Sequence, residues 1–185
     1  MSIKYEVEFL DYWHLSSGLS AGAKLDSTVV KDKDGLPYLS GKTLKGLSRE
    51  MAELLDNEAF VTECFGAEGV EMGVCYFSNA TLNDEIAGEI KEHNLQERLY
   101  DVIASTKIGS EDKFKNGKQI EKKDIAVDNS LREIEVVVPL TLEGTIDDVP
   151  TQYKEQMIQA LKMIKRMGLN RNRGLGRCNI TVEVA

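Results

Sequence analysis

The sequence predicts an α+β protein with a ferredoxin-like (RRM-like) fold, in which split βαβ units form a four-stranded antiparallel sheet with two helices on one face. The first observation is the order of the apolar patterns, which reads β-α-β, a polar excursion, and then β-α-β again. The second is the length of 185 residues, which suits one domain at ~100–200 residues per domain. We therefore expect a single domain over residues 1–185, with an insertion at about 79–130 between its halves.

The first half of the chain supplies a strand, a helix and a second strand. Ile3 to Phe9 alternates apolar with charged side chains, which is typical of a half-buried strand. Residues 14–41 lack a helical period and predict mostly loop. Leucine and methionine side chains at three- and four-residue spacing predict a helix over about 42–56. Residues 73–78 predict the second strand.

The second half repeats this order after the insertion. Residues 105–130 are polar and predict a projecting hairpin or mobile loop. Alternating apolar residues predict one long strand over 131–143, in which Pro139 suits a sheet edge or a bulge because it lacks an N–H. We expect a helix that begins at Pro150 and is closed by Gly168, followed by a last strand over 178–184.

The chain is acidic overall, but many of its basic residues lie in two short segments. The formal net charge is −8, which taken alone argues against nucleic-acid binding, because phosphate binding needs a cationic surface. Residues 161–178 nevertheless hold six basic residues and no acid, and residues 41–49 hold three basic residues and no acid. A local positive field of this kind can bind a polyanion even on an acidic protein.

The first basic segment contains GLNRNRGLGRC, residues 168–178, which we name the arginine loop. Gly174 and Gly176 permit positive φ angles and close approach of the backbone to a ligand, and successive exposed N–H groups form an anion-binding nest. The alternative is a glycine helix stop with a solvated turn, which does not need three arginines without a nearby acid. The guanidinium groups that we predict to bind phosphate are those of Arg171, Arg173 and Arg177.

The second basic segment lies at the start of the predicted first helix. Lys42 and Lys45 oppose the helix macrodipole at an N-terminus, and a bound phosphate would reverse that cost. Arg49 lies further along the same face. The alternative is a solvated helix face with Arg49 paired to Glu53. We predict anion binding by Lys42, Lys45 and Arg49.

Two residues of the first loop are candidates for chemistry. The carboxylate of Asp26 suits a divalent cation or a 2′-hydroxyl, and the alternative is a turn aspartate bonded to its own backbone. His14 suits a general acid or base, and the alternative is a partly buried loop residue. Three widely spaced cysteines and only two histidines argue against a zinc cage and indicate a reducing, cytoplasmic environment.

Several motifs occur together in a specific order. KLDSTVVKDKDGLPYLSGKTLKGLSRE, residues 24–50, contains an Asp-bearing loop, a Gly-x-Pro-Tyr turn and a Gly-x-x-Leu-Lys-Gly-x-x-Arg helix start. YFSNATL follows at residues 76–82, and NRNRGLGRC, residues 170–178, contains an Arg-Gly-x-Gly-Arg loop. In these motifs, which extend over most of its length, the chain resembles the RAMP superfamily of CRISPR-associated proteins.

The resemblance is closest to the backbone subunit of type III (Csm or Cmr) effector complexes. It implies a palm with a β-hairpin thumb over about 105–130, and self-association in a filament along guide CRISPR RNA. It further implies other effector subunits as partners, with single-stranded target RNA cleaved by attack of its 2′-hydroxyl. In the family, an aspartate at the position of Asp26 supports cleavage with Mg²⁺ or another divalent cation, held weakly until RNA completes the site. His14 lies where some members have a loop histidine.

Four functions remain open from the sequence. The first is the target-RNA nuclease implied by the resemblance, and the second is a non-catalytic scaffold in which Asp26 is only a turn residue. The third is a guide-RNA-processing endoribonuclease of the same superfamily, which would cut without metal, usually through a histidine. The fourth is an unrelated ferredoxin-like module that binds a small anionic metabolite. For all four we expect a cytoplasmic protein with no membrane contact, because no apolar run approaches the ~18–20 residues that span a bilayer.

Overall fold

The computed structural model of the protein describes residues 1–19, 25–67, 72–106, 108–115, 118–126 and 131–184. Within these ranges the helices are α1 (Gly41–Glu53), α2 (Glu58–Phe65), α3 (Asp84–Glu92) and α4 (Lys154–Met163). The strands are β1 (Ile3–Phe9), β2 (Tyr76–Phe77), β3 (Tyr100–Ser105), β4 (Ile108–Lys115), β5 (Lys118–Ala126), β6 (Arg132–Val137), β7 (Thr141–Asp147) and β8 (Cys178–Val184). None of these helices combines the length and apolarity needed to cross a bilayer.

Four strands form the main sheet in the order β2-β7-β1-β8, and every neighbouring pair is antiparallel. The register places Ile3 opposite both Ile146 and Val184. Helices α1 and α4 contact each other, and α4 also contacts β8. The predicted ferredoxin-like class is confirmed, because the first and third of these sheet strands by chain order are neighbours at the centre and the second and fourth form the edges.

The core lies between the sheet and these two helices. Ile3, Tyr5, Val7 and Phe9 project from alternate positions of β1 and are at most 2% exposed, as the period of two predicts. They belong to one apolar cluster that also includes Leu44 of α1 and Met157 and Leu161 of α4. Burial raises the pKa of the Cys178 thiol at the start of β8 to about 11, so this cysteine is a core residue rather than a reactive thiol.

The predicted long strand over 131–143 is wrong, because the structure divides it into two strands of different sheets. Strand β6 pairs with β3, whereas β7 enters the main sheet beside β1. The residues around Pro139 make the transition: Val138 donates its N–H to the Leu99 carbonyl, and Leu140 accepts from the N–H of Phe9. Pro139 has no N–H to continue either ladder. Strand β6 therefore lies outside the main sheet, where it contacts the loops of the candidate site.

The predicted helix over Pro150–Gly168 is also shorter than expected. A 3₁₀ helix at Thr151–Tyr153 precedes α4, which ends at Met163. Beyond that point the chain pairs with the segment that leads into β8, because Met167 donates to the Gly176 carbonyl and Cys178 donates to that of Lys165. Ile164 and Met167 are buried as the apolar pattern predicts, but they are held by backbone pairing outside a helix.

The predicted insertion contains its own two-stranded ladder. Strands β4 and β5 are antiparallel, with Ile108 opposite Ala126 and Lys115 opposite Lys118. Residues 116–117, in the middle of the segment predicted to form a hairpin or loop, lie outside the described residues. The insertion also contains α3, whose N-cap Asn83 accepts the N–H of Glu85 through its side chain.

Candidate nucleic-acid interface

Asp26 is fixed by two hydrogen bonds to the start of β6. Its N–H donates to the Glu133 carbonyl over 2.8 Å, and its Oδ2 accepts the Glu133 N–H over 2.8 Å. One residue later the Ser27 carbonyl accepts the N–H of Glu135 over 3.1 Å. Residues 25–31, which we name the Asp26 loop, therefore begin alongside β6 as an extra strand-like segment, and the position of Asp26 is set by backbone pairing.

The second carboxylate oxygen of Asp26 faces an open depression of about 280 Å³. Among the described residues, the cation nearest to Asp26 is Arg132, whose guanidinium lies 3.4 Å from Oδ1; the Asp26 and Arg132 side chains are 40% and 66% exposed respectively. An ion pair this exposed contributes little to stability and is readily exchanged for another partner. The depression is lined by Asp26, Ser27, Ser105, Thr106, Arg132, Ile134, Leu169, Asn170 and Arg173. It therefore joins the Asp26 loop to the arginine loop, although the two segments are far apart in the sequence.

His14 lies beneath this depression and is fully buried. Its Nδ1 is 2.6 Å from the Glu135 carbonyl oxygen and its Nε2 is 3.0 Å from Ser27 Oγ. Since a carbonyl only accepts, Nδ1 carries the proton, and in the neutral ring Nε2 accepts the Ser27 hydroxyl. The predicted role of His14 as a general acid or base can thus operate only through Ser27, because the ring itself does not reach the surface.

The arginine loop crosses the same face of the β3–β6 pair and is anchored at both ends. Near its start Leu169 donates to the His14 carbonyl over 2.9 Å, and near its end Gly176 donates to the Tyr12 carbonyl over 2.8 Å. Between them Leu175 is buried against Ile134 and Val136 of β6. The loop is therefore held in one place while its polar side chains remain exposed.

Gly176, one of the residues predicted to bind RNA, is buried, and its N–H already donates to the Tyr12 carbonyl. Gly176 has φ +68°, and a Cβ at this position would collide with the carbonyl oxygen of Met167. Its role is to let two backbone segments approach closely. Gly174 also has a positive φ, +90°, but nothing lies within 4 Å of its missing Cβ, so its backbone stays accessible.

These two glycines lead to a stability prediction. Gly174→Ala and Gly176→Ala both force a non-glycine residue to positive φ, which costs about 1–2 kcal/mol. Gly176→Ala adds the collision with Met167, so we expect a loss about 1–2 kcal/mol greater than that of Gly174→Ala. Thermal unfolding of the two variants measures the difference, expected as a melting temperature lower by several degrees for Gly176→Ala. Equal shifts in the two variants would show that the close approach is unimportant.

The middle of the arginine loop offers unbonded donors. Among the described residues, no acceptor lies within hydrogen-bond reach of the main-chain N–H groups of Asn170, Arg171, Asn172 and Gly174. The side chains of Arg171 and Arg173 are exposed beside them. Open N–H groups next to guanidinium groups are the combination that binds phosphate.

Arg177 differs from the other two arginines. Its Nε lies 3.1 Å from Asp11 Oδ2, and its side chain is 58% exposed. The sequence suggested a loop without a nearby acid, and the structure corrects this for Arg177, whose acid comes from the distant end of β1. We therefore assign the positive field of the loop mainly to Arg171 and Arg173.

The start of α1 lines a second, larger depression that adjoins the first. This depression has a volume of about 730 Å³, and Leu169 lines both. The helix has no acidic residue in its first turn and no side-chain cap from Ser40. Within the described residues, the N–H groups of Lys42 and Thr43 have no acceptor. The depression is lined by Leu15, Ser16, Ser17, Val30, Tyr38, Ser40, Lys42, Thr43, Gly168 and Leu169.

Lys45 and Arg49 do not line this depression and are bonded elsewhere, so the structure does not bring them to the surface that Lys42 shares with the arginine loop. Lys45 donates to the Cys75 carbonyl over 3.3 Å, and Arg49 pairs with Glu53 over 3.0 Å. Arg49 is seven residues after Lys42, and a helix rises by ~10 Å over seven residues, so Arg49 lies well away from the helix N-terminus. Only Lys42 of the three lines the depression that reaches the arginine loop.

A buried carboxylate supports the Asp26 loop from behind and was not among the sequence candidates. Glu135 is 8% exposed; its Oε2 accepts the Val29 N–H over 3.0 Å, and its Oε1 lies 2.7 Å from Lys31 Nζ. Lys31 Nζ also lies 3.8 Å above the Tyr100 ring. Burial, followed by the charge of Glu135, raises the pKa of the Tyr100 phenol. The signal that could have identified Glu135 is its position as a single acid within the apolar run IEVVV, residues 134–138.

The part of the chain that the structure describes does not by itself provide a cage for a metal ion. Among the described residues, no group of three or more His, Cys, Asp or Glu side chains is arranged to hold one. Asp26 offers one oxygen beyond the one that bonds to Glu133. The donor set fits a divalent cation only if a bound polyanion supplies further oxygen ligands.

The open face of the main sheet has the opposite electrostatic character. Glu6 and Glu143 are paired across β1 and β7, and Glu183 lies opposite Lys4 across β1 and β8. A depression of about 450 Å³ on this side includes all four of these residues and Asp84. Its excess of carboxylates repels phosphate, so this depression is not a candidate for binding nucleic acid.

Comparisons with known proteins agree with this architecture. A model of the RAMP superfamily matches residues 6–179. The fold is similar to chains in two cryo-EM structures of the type III-B Cmr-beta complex, one bound to cognate target RNA and one in the apo state. Each match has a TM-score of 0.70 and 10% identity, and covers 98% of this chain and 97% of the other. No curated protein matches the sequence. Because the family model extends over most of its length, the chain belongs to the RAMP superfamily.

Proposed function

We propose that the protein is a backbone RNA-binding subunit of a type III CRISPR effector complex, which holds guide RNA and cleaves the bound target RNA. The observation that carries the proposal is the continuous surface on which the start of α1, the arginine loop and Asp26 meet. The fold of the chain is similar to that of chains in Cmr-beta structures, one of which is bound to cognate target RNA, and this similarity supports the same assignment.

The binding part of the proposal rests on backbone recognition. Lys42, Arg171 and Arg173 supply positive charge, and the unbonded N–H groups of both segments supply neutral donors. Neither feature selects a base, because phosphate contacts position a strand without specifying its sequence. This suits a subunit that holds guides of any sequence and leaves recognition of the target to base pairing.

The cleavage part of the proposal rests on Asp26. In the proposed reaction a ribose 2′-hydroxyl of the target attacks the adjacent phosphorus in line with the leaving 5′-oxygen, and positioning supplies much of the acceleration. When RNA is bound, Mg²⁺ or another divalent cation held between Asp26 and phosphate oxygens would neutralise the developing negative charge. Asp26 is suited to this role because it lines the depression, Glu133 fixes one of its oxygens, and the other is paired only with the exposed Arg132 among the described residues.

The remaining parts concern assembly. We propose that copies associate in a filament along the guide, that other effector subunits are partners, and that the β4–β5 ladder acts as the thumb that splays one nucleotide per copy. Such a complex would work in the cytoplasm. The second candidate function is a non-catalytic scaffold of the same architecture. It is favoured by the two bonds between Asp26 and Glu133, which are those of a purely structural residue.

The binding surface is tested by the salt dependence of RNA affinity. We expect log Kd for single-stranded RNA to rise linearly with log salt concentration, and each of Arg171→Gln and Arg173→Gln to reduce the slope by about one phosphate contact. Arg49→Gln is the matched control, because Arg49 is paired with Glu53 away from the surface. A slope that falls equally in all three variants, or no RNA binding by the native chain, would contradict the proposed interface.

A further inference from the structure

The Ser27 hydroxyl is bonded to His14 although the Asp26 loop does not need this bond to hold its place. The backbone of the loop is fixed to β6 by Asp26 and by the Ser27 carbonyl. The hydroxyl oxygen lies 3.0 Å from Nε2 of a buried imidazole and 3.4 Å from Ser16 Oγ, and the opposite ring nitrogen lies 2.6 Å from the Glu135 carbonyl oxygen. Because that carbonyl only accepts, Nε2 of the neutral ring is left to accept the Ser27 proton. A hydroxyl, a basic nitrogen and an orienting acceptor in line form the arrangement by which proteins activate hydroxyl groups.

Of these hydrogen-bonded side chains, Ser27 is accessible from the depression and His14 is not. His14 is fully buried, whereas Ser27 is half-buried and lines the depression that also contains Asp26 and Arg173. A nucleotide in the depression can therefore contact the Ser27 hydroxyl but not the imidazole.

We propose that Ser27 is a catalytic residue of the cleavage and that His14 acts through it as a positioning residue and proton acceptor. This inference rests on the proposed function. As the 2′-oxygen forms its bond to phosphorus, the 2′-hydroxyl proton passes to Ser27 Oγ and the Ser27 proton passes to His14 Nε2. The bond between phosphorus and the 5′-oxygen breaks with its electron pair on the 5′-oxygen, which takes a proton from water. The products are a 2′,3′-cyclic phosphate and a 5′-hydroxyl, and His14 then releases its proton to water through Ser27.

Three variants of the full chain, each assembled on guide RNA, test the relay under single-turnover conditions with a bound complementary target. Ser27→Ala is expected to slow cleavage by about 10²-fold with the Kd for target RNA unchanged, and Ser27→Thr, which keeps the hydroxyl, is expected to retain most of the rate. His14→Gln places an amide oxygen where Nε2 accepts the Ser27 hydroxyl, but that oxygen does not take up a proton. The relay therefore predicts a loss similar to that of Ser27→Ala, whereas a structural role predicts retention.

Thr28→Val is the matched control, since it removes the neighbouring hydroxyl, which bonds to Ser17 and to the Leu19 carbonyl and has no contact with His14; its rate is expected to equal the native one. Native-like rates for Ser27→Ala or for His14→Gln would overturn the relay. If His14→Gln lowers the melting temperature markedly, the comparison of Ser27→Ala with Ser27→Thr decides. Absence of cleavage by the native chain would instead overturn the proposed nuclease function, so the two failures are distinguishable.

Discussion

Asp26→Asn is expected to reduce cleavage of bound target RNA by about 10²–10³-fold, the loss typical of removing one group that stabilises transition-state charge. The amide oxygen of asparagine can still accept the Glu133 N–H, so the backbone pairing of the loop is retained. What the variant loses is the negative charge that faces the depression. The measurement is the single-turnover rate with a divalent cation present, together with the Kd for guide and target RNA, which we expect to remain within a factor of two.

Asp34→Asn is the control for Asp26→Asn. Asp34 is also exposed, and the only ion pair that its carboxylate makes among the described residues is with Lys91, at 3.6 Å. We expect it to cleave at the native rate. If Asp26→Asn cleaves as fast as Asp34→Asn, the carboxylate has no catalytic role and the chain is a scaffold. If EDTA leaves the native rate unchanged, cleavage proceeds without a metal, as in a guide-processing enzyme.

Lys31→Met is expected to lower the free energy of unfolding by about 2 kcal/mol. Removing one partner of a buried ion pair costs about 3–5 kcal/mol when both partners are enclosed. Here Glu135 is enclosed, but the Lys31 side chain is 33% exposed, so water reduces the loss. Thermal unfolding should show a melting temperature lower by about 4–8 °C, at ~2–4 °C per kcal/mol for a protein of this size.

A second substitution separates charge burial from lost packing. In Lys31→Met combined with Glu135→Gln, the glutamine oxygen still accepts the Val29 N–H while no charge remains buried. We expect this double variant to regain most of the lost stability. Lys91→Met, which breaks the exposed pair with Asp34, should change stability by less than about 0.5 kcal/mol. A double variant no more stable than Lys31→Met would contradict the assignment of the loss to the unpaired carboxylate.

The sheet and its two helices were predictable because their signals are local. Each of β1 and β8 alternates with a period of two, and α1 carries an apolar stripe at helical spacing. The predictions that were wrong concern segments whose backbone pairs with residues far away in the chain. The pattern of 131–143 has one uniform period, yet its two halves pair with different strands, and the apolar residues after Met163 are held by pairing with Gly176 and Cys178.

The candidate site was predictable only in part for the same reason. The sequence identified Asp26, His14, Lys42 and the arginine loop as chemically unusual residues, but not how they are arranged. Local reasoning grouped Lys45 and Arg49 with Lys42 because they share a helix face, whereas the shared surface is formed by residues far apart in the chain. Ser27 had no signal of its own, because its importance comes from the distance to His14.

The most direct test of the account is a map of the residues that contact bound RNA. A single-stranded RNA with photoreactive nucleotides is cross-linked to the full chain, and the modified peptides are identified by mass spectrometry. We predict cross-links within residues 26–27, 40–43 and 168–173, which contribute to the lining of the two adjoining depressions. Cross-links confined to the acidic open face of the main sheet, within residues 4–8 and 141–145, would contradict it.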